Sequence, residues 1–120
     1  MAAKDELGRH GEDVAVRYLE GRGLVVLDRN WRCREGELDV VATEPDGGRL
    51  VVCEVKTRSG TRYGEPAEAV TGQKARRIRR VAQRWLAQQG LPWVEVRFDV
   101  CAVLVEQGRP ATVQYYEAAF

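Results

Sequence analysis

At 120 residues, with 44% hydrophobic and 31% charged residues and a net charge of +1, the chain is long enough to bury about two-thirds of its unfolded surface in one core and too apolar for intrinsic disorder. No apolar run approaches the roughly 20 residues of a membrane span, and the polar amino terminus MAAKDELGRHGED lacks the apolar centre of a signal peptide. A single cytoplasmic domain over residues 1–120, with no membrane partner, is the expectation.

The first element is a helix from about Lys4 to Gly21. Leu7, Gly11, Val14, Ala15, Tyr18 and Leu19 recur at helical spacing, and Gly21 and Gly23 supply the stop. Glu12 shares a turn with Ala15, Val16 and Leu19, at the edge of the apolar face, and can look toward a sheet. An acid complementing the helix dipole is the alternative reading. Leu24 to Cys33 reads as a first strand, joined to the next through Arg34-Glu35-Gly36. Trp31 lies among Arg29, Arg32 and Arg34, an aromatic-cation mixture that suits either a core tryptophan on a charged edge strand or a nucleic-acid surface.

The next two strands, Leu38–Thr43 and Leu50–Val55, flank Glu44-Pro45-Asp46-Gly47-Gly48, and Asp-Gly between apolar runs is a strong hairpin signal. Alternation puts Glu37, Asp39 and Val41 on one side and Leu38, Val40 and Ala42 on the other. An Asp46-Gly47 turn sets Asp39 opposite Glu54; a Gly47-Gly48 turn sets it opposite Lys56. Opposed carboxylates cost a few tenths to about 1 kcal/mol, so a positive group belongs between them. Lys56 is one candidate, and a hard divalent cation such as Mg²⁺ is another. A solvated strand face with an ordinary Glu–Lys neighbour pair also fits the spacing.

Ser59 to Pro66 is a loop by its glycine and proline content, placed where it can border the charged hairpin face. A second helix runs from Thr71 as N-cap to Gln89, with Gly90 and Pro92 beyond. Ala75, Ile78, Ala82, Trp85, Leu86 and Gln89 form its core face. Lys74, Arg76, Arg77, Arg79, Arg80 and Arg84 lie in a segment, Ala69 to Val94, without one acidic residue. Such a row repels itself unless an anionic partner screens it, and a phosphate backbone is the natural candidate. Trp93 to Glu106 is a long, largely buried strand, and Ala111 to Tyr116 a short edge strand before a loose tail. The order α-β-β-β-α-β-β predicts an α/β domain with a mixed sheet covered by two helices. Cys33, Cys53 and Cys101 show no metal-ligand spacing, and the single His10 cannot build a histidine-based zinc site. Reduced thiols are expected.

Glu12, then Gly36-Glu37-Leu38-Asp39, then Glu54-Val55-Lys56-Thr57-Arg58 resemble the signature of the PD-(D/E)XK nuclease superfamily, in which an Asp and an E-x-K triplet sit on adjacent strands. The element order is similar to that superfamily's restriction endonuclease-like α-β-β-β-α-β core and to archaeal Holliday-junction resolvases. Over Gly8 to Val100 the chain resembles the YraN family of small bacterial proteins, through GRHGEDVAVRYLEGRGL, GELDVVA, VCEVKTR, YGEPAEAV and TGQKARRIRRVAQRWL. The resemblance implies a Mg²⁺- or Mn²⁺-dependent endonuclease acting on DNA, branched or damaged DNA included, or a nucleic-acid-binding protein that kept the fold. It makes Asp39, Glu54 and the Val55 carbonyl the metal ligands, supported by Glu12. Lys56 becomes the residue that orients water or stabilises the transition state, and Gln73 a polar helper. Arg58, Lys74, Arg76, Arg77, Arg80 and Arg84 become phosphate contacts. A homodimer, as in the resolvases, would suit symmetric cleavage. Leu38 stands where the literal motif has proline.

Overall fold

The computed structural model describes residues 2–59, 70–91 and 94–120. In chain order they form α1 (Ala2–Gly21), β1 (Val25–Cys33), β2 (Gly36–Thr43), β3 (Arg49–Arg58), α2 (Gly72–Gln89), β4 (Glu95–Leu104) and β5 (Thr112–Tyr116). This is the expected α-β-β-β-α-β-β succession. The strands make one mixed sheet in the order β1-β2-β3-β4-β5. Among the described strands only β3 and β4 pair in parallel. A parallel pair needs a crossover, and α2 lies in the connection between them. The loop expected at Ser59–Pro66 falls outside the described residues from Gly60 onward, as does Trp93.

The β2–β3 register sets Val40 against Cys53, Val41 against Val52, Ala42 against Val51 and Thr43 against Leu50. Extended by one residue, it sets Asp39 opposite Glu54, as the Asp46-Gly47 alternative requires. The turn itself is wider than two residues. Glu44 donates its N–H to the Arg49 carbonyl at 3.1 Å and Gly47 donates back to Glu44 at 2.8 Å. Pro45 has no N–H to offer the ladder, so the strands close one pair earlier. Gly47 takes φ +72°, the left-handed conformation glycine adopts without strain.

Alternation holds along β3 and fails in β2. On one side of the sheet Leu50, Val52 and Phe98 pack with Ile78, Val81, Ala82 and Trp85 of α2, and both Leu38 and Val41 join them. On the other side Val40, Cys53, Cys101 and Val103 pack with Ala15 and Leu19 of α1. Leu38 and Val41 share a cluster because alternation is lost between Leu38 and Val40, just before the pairing of β2 with β3 begins at Val40.

Helix α1 approaches the sheet closely at Gly11, where a Cβ would stand only 1.9 Å from Thr57 Oγ1. Helix α2 has the expected caps: Thr71 Oγ1 accepts the Lys74 N–H at 3.1 Å, and Gly90, at φ 65°, closes the other end. Val81 joins its core face, whereas Gln89 is exposed. The carboxyl-terminal tail is anchored rather than loose. Ala118 donates its N–H to buried Asp99 at 2.9 Å, Ala119 donates to the Phe98 carbonyl at 2.8 Å, and Phe120 stacks obliquely on Phe98. Asp99, fully buried, is neutralised by a two-pronged pair with Arg97 and a hydrogen bond from Tyr115. No described helix is long and apolar enough to cross a membrane.

Candidate functional site

Where β2 and β3 part, the ladder leaves the Val55 N–H without a strand partner, and a side chain takes its place. Asp39 Oδ2 accepts that N–H at 2.8 Å. Asp39 thus bridges to the backbone of the residue after Glu54. The Asp39 N–H in turn lies 3.5 Å from Glu54 Oε2, so the two carboxylates are held by each other's strands. Glu54 is only 5% exposed, an unusual position for an acid whose partner is another acid.

Together with Lys56, Lys74 and Arg77, these residues line a cavity of ≈ 340 Å³ between the sheet and α2, closed by Gly36, Glu37, Val55, Ile78 and Val81. Lys56 projects from β3 on the same side as Glu54, two residues on. Lys74 comes from the first turn of α2, fixed by the Thr71 cap. The cavity therefore joins three acids, Glu37 and Asp39 from β2 and Glu54 from β3, to three cations.

The electrostatics follow from burial. Desolvation, then the charge of Asp39, push Glu54 up to about 8. Burial also raises Asp39, although the Val55 N–H and the nearby lysines oppose it. Lys56 is lowered to about 8 by burial and by the neighbouring Lys74. Each charged form is disfavoured by its surroundings, so the cluster is poised to exchange protons or to accept a compensating ion.

As to metal, the donor set is two carboxylates and a backbone carbonyl, all hard oxygens. Such a set suits an ion that takes oxygen ligands and keeps several waters, as Mg²⁺ does, and a divalent charge relieves the repulsion that raises Glu54. Asp39, Glu54 and Val55 therefore fit the ion. Among the described residues there is no group of three or more His, Cys, Asp or Glu side chains placed to hold a metal.

Not every expected residue arrives. Glu12 is mostly buried and close enough to Asp39 and Glu37 for their charges to raise it, after the larger effect of burial. Its carboxylate is nevertheless engaged by Asn30 Nδ2 at 2.7 Å, with Arg29 at 3.7 Å. Gln73 is exposed and does not line the cavity; its neighbour Lys74 does. Helical geometry explains the exchange, since one residue along α2 rotates a side chain by about 100°. Lys74 and Arg77, expected as phosphate contacts, line the cavity, whereas Arg76 and Arg80 lie outside it and are exposed. Arg84 is paired with Glu35 at 2.8 Å. Arg79 lies over the Phe98 ring, 4.6 Å from its centroid. Arg58, at the end of β3, is half-buried and donates to the Thr57 carbonyl at 3.3 Å. Buried Asp99 carries no motif that marks it in sequence.

Fold and cavity together define an α/β protein with a buried carboxylate pair and a lysine pair where two strands of a mixed sheet diverge. The chain belongs to the family described as Uncharacterised protein family UPF0102, whose model matches residues 11–103 and so takes in Glu12, Asp39, Glu54, Lys56 and Lys74. It is similar to a UPF0102 protein of Frankia casuarinae, 59% identical over 120 residues and the whole of both chains. A UPF0102 protein of Rhodococcus jostii is 50% identical, again over the whole of both. One from Kineococcus radiotolerans is 56% identical over 116 residues, 96% of this chain and 93% of its own.

Proposed function

We propose that the protein is a Mg²⁺-dependent phosphodiesterase of the PD-(D/E)XK kind, cleaving DNA. The observation that carries the reading is the meeting of Asp39, Glu54 and Lys56 in one cavity, with Asp39 locked to the Val55 N–H. Asp39, Glu54 and the Val55 carbonyl would hold the ion, which when bound supplies an activated water and neutralises phosphate charge. Lys56, already lowered to about 8, can hold or release a proton near neutral pH, as a residue that orients the attacking water requires. Lys74 and Arg77 place fixed positive charge where the non-bridging oxygens of a phosphate would lie, worth more in a half-enclosed cavity than in water. Exposed Arg76 and Arg80 offer phosphate contacts further along α2.

Cleavage of labelled single-stranded, duplex, flap and four-way-junction DNA with Mg²⁺ or Mn²⁺ tests the reading. The native protein cleaves at least one, and Asp39→Asn, Glu54→Gln and Lys56→Ala lower the rate by roughly 10²-fold or more, the order typical for removing one preorganised group. Equal cleavage by native protein and Glu54→Gln would overturn it. A second reading, a nucleic-acid-binding protein without catalysis, is favoured by one observation: Glu12 is held by Asn30. In that case chelation of metal leaves salt-dependent binding unchanged and no DNA is cut.

A further inference from the structure

The flank of α2 that walls the carboxylate cavity continues into a second hollow. Arg77 and Val81 line the first; Arg84 and Gln88 line the second. These residues follow one another at 4, 3 and 4 positions and share one stripe of the helix. The facing wall is continuous too, because Gly36 borders the first hollow and Glu35 the second. The two walls close up at Gly36, where a Cβ would lie 3.3 Å from Val81 Cγ2 and 3.6 Å from Arg77 Cδ. The second hollow, ≈ 350 Å³, is lined by Trp31, Cys33, Arg34, Glu35, Arg84 and Gln88.

Its chemistry differs from the first. Trp31 is half-buried, its inner side packed on the α2 cluster and the rest lining the hollow. Two arginines flank it. Glu35 accepts from Arg84 at 3.0 and 2.8 Å, which fixes that guanidinium before any ligand arrives. Gln88 brings an amide, both donor and acceptor. An aromatic face, a fixed guanidinium with a second arginine beside it, and an amide are groups that hold a nucleobase by stacking, charge and edge hydrogen bonds. Seven residues separate Arg77 from Arg84, a rise of about 10 Å, close to three stacked nucleotides at about 3.4 Å each.

We propose that this hollow binds an unpaired nucleobase, belonging to the strand whose phosphate occupies the carboxylate cavity. The inference rests on the nucleic-acid part of the proposed function. A base within a duplex hides both faces in its stack and cannot reach Trp31, so the subsite selects single-stranded segments.

Binding without metal tests it, read by the anisotropy of a labelled single-stranded oligonucleotide and of a blunt duplex of the same length, in the presence of a chelator. Trp31→Leu, which keeps an apolar side chain against the core, should weaken single-strand binding by roughly five- to a hundred-fold, the loss of one stacked base. It should leave duplex binding within about two-fold, the margin of a non-contacting change. Trp31→Phe should retain most of the single-strand affinity, and an abasic nucleotide at one position should cancel the difference between native protein and Trp31→Leu. Equal weakening for both DNAs, no weakening for either, or a native protein without single-strand affinity would overturn the subsite. Since no cleavage is measured, a failure to cut DNA with Mg²⁺ removes the catalytic reading and leaves this one standing. Cleavage that depends on Glu54, combined with unchanged single-strand binding in Trp31→Leu, removes only the subsite.

Discussion

Glu54 sets the protonation of the site. Its ordinary value of 4.5 rises to about 8 on folding, through burial and then Asp39. The folded protein therefore keeps a proton that the unfolded chain releases near pH 4.5. As far as this group is concerned, metal-free stability is full below that pH and declines as pH rises through about 8. One proton corresponds to at most about 1.4 kcal/mol per pH unit. Lys56 acts with the opposite sign in a higher window. Lowered from 10.5 to about 8, it is neutral in the folded protein while the unfolded chain is still charged, so stability recovers as pH rises from 8 to 10.5. Urea titrations at about pH 5, 6.5 and 8 should show a falling midpoint for the native protein and a flatter trend for Glu54→Gln. Mg²⁺, which takes the ionised carboxylate, should raise the native midpoint more at about pH 8 than at about pH 6 and do little for Glu54→Gln. A native midpoint that rises over this range, with the Glu54→Gln trend alongside it, would contradict the assignment.

At the scale of elements, two contacts position the site. The α2 cap at Thr71 brings Lys74 into the cavity, and the close crossing at Gly11 seats α1, with Glu12 one residue on, against β3. Gly11 is needed for space rather than for backbone freedom, since Thr57 Oγ1 occupies the place of its Cβ. Gly11→Ala would force helix and strand apart or drive Thr57 from its rotamer, and should cost about 1–3 kcal/mol. Chemical denaturation reads that loss directly. Gly11→Ala combined with Thr57→Ser should recover only part of it, because Oγ remains, whereas with Thr57→Ala most of the clash is gone.

Over the whole molecule, a net charge of +1 conceals a sharp separation. Several of the carboxylates that balance the count are paired with arginines outside α2, as Asp13 is with Arg29, Glu44 with Arg49 and Asp99 with Arg97, while α2 contains no acid along its length and, of its cations, Arg84 is paired with Glu35. Long-range attraction for a polyanion should therefore come from α2. Arg76→Ala and Arg80→Ala lie outside the cavity, and together they should weaken DNA binding and flatten its dependence on salt, by roughly 0.7–0.9 in the log–log slope for each phosphate that is no longer neutralised. Binding isotherms between about 50 and 200 mM salt measure this. An unchanged slope would move the phosphate track off α2.

The sequence by itself determined what local periodicity carries. Helical spacing in α1 and α2, Thr71 and Gly90 as caps, alternation in β3, and turn residues between β2 and β3 encode the element order. The charged triplet Glu54-Val55-Lys56 with Asp39 upstream marks one cluster, because period two and a hairpin register are properties of neighbouring residues. Only the tertiary structure decided the rest. The β2–β3 ladder reaches no further than Val40, and beyond that break Asp39 accepts the Val55 N–H and Leu38 joins the α2 core. The seating of α2 on the sheet puts Lys74 in the cavity and leaves Gln73 exposed. Asn30 captures Glu12 because β1 runs beside α1, a proximity that no spacing along the chain contains. Asp99 became a buried anchor for the carboxyl terminus through Tyr115 and Ala118, which meet it only once β4 and β5 have paired, whereas its ion-pair partner Arg97 stands two residues away on the same face of β4.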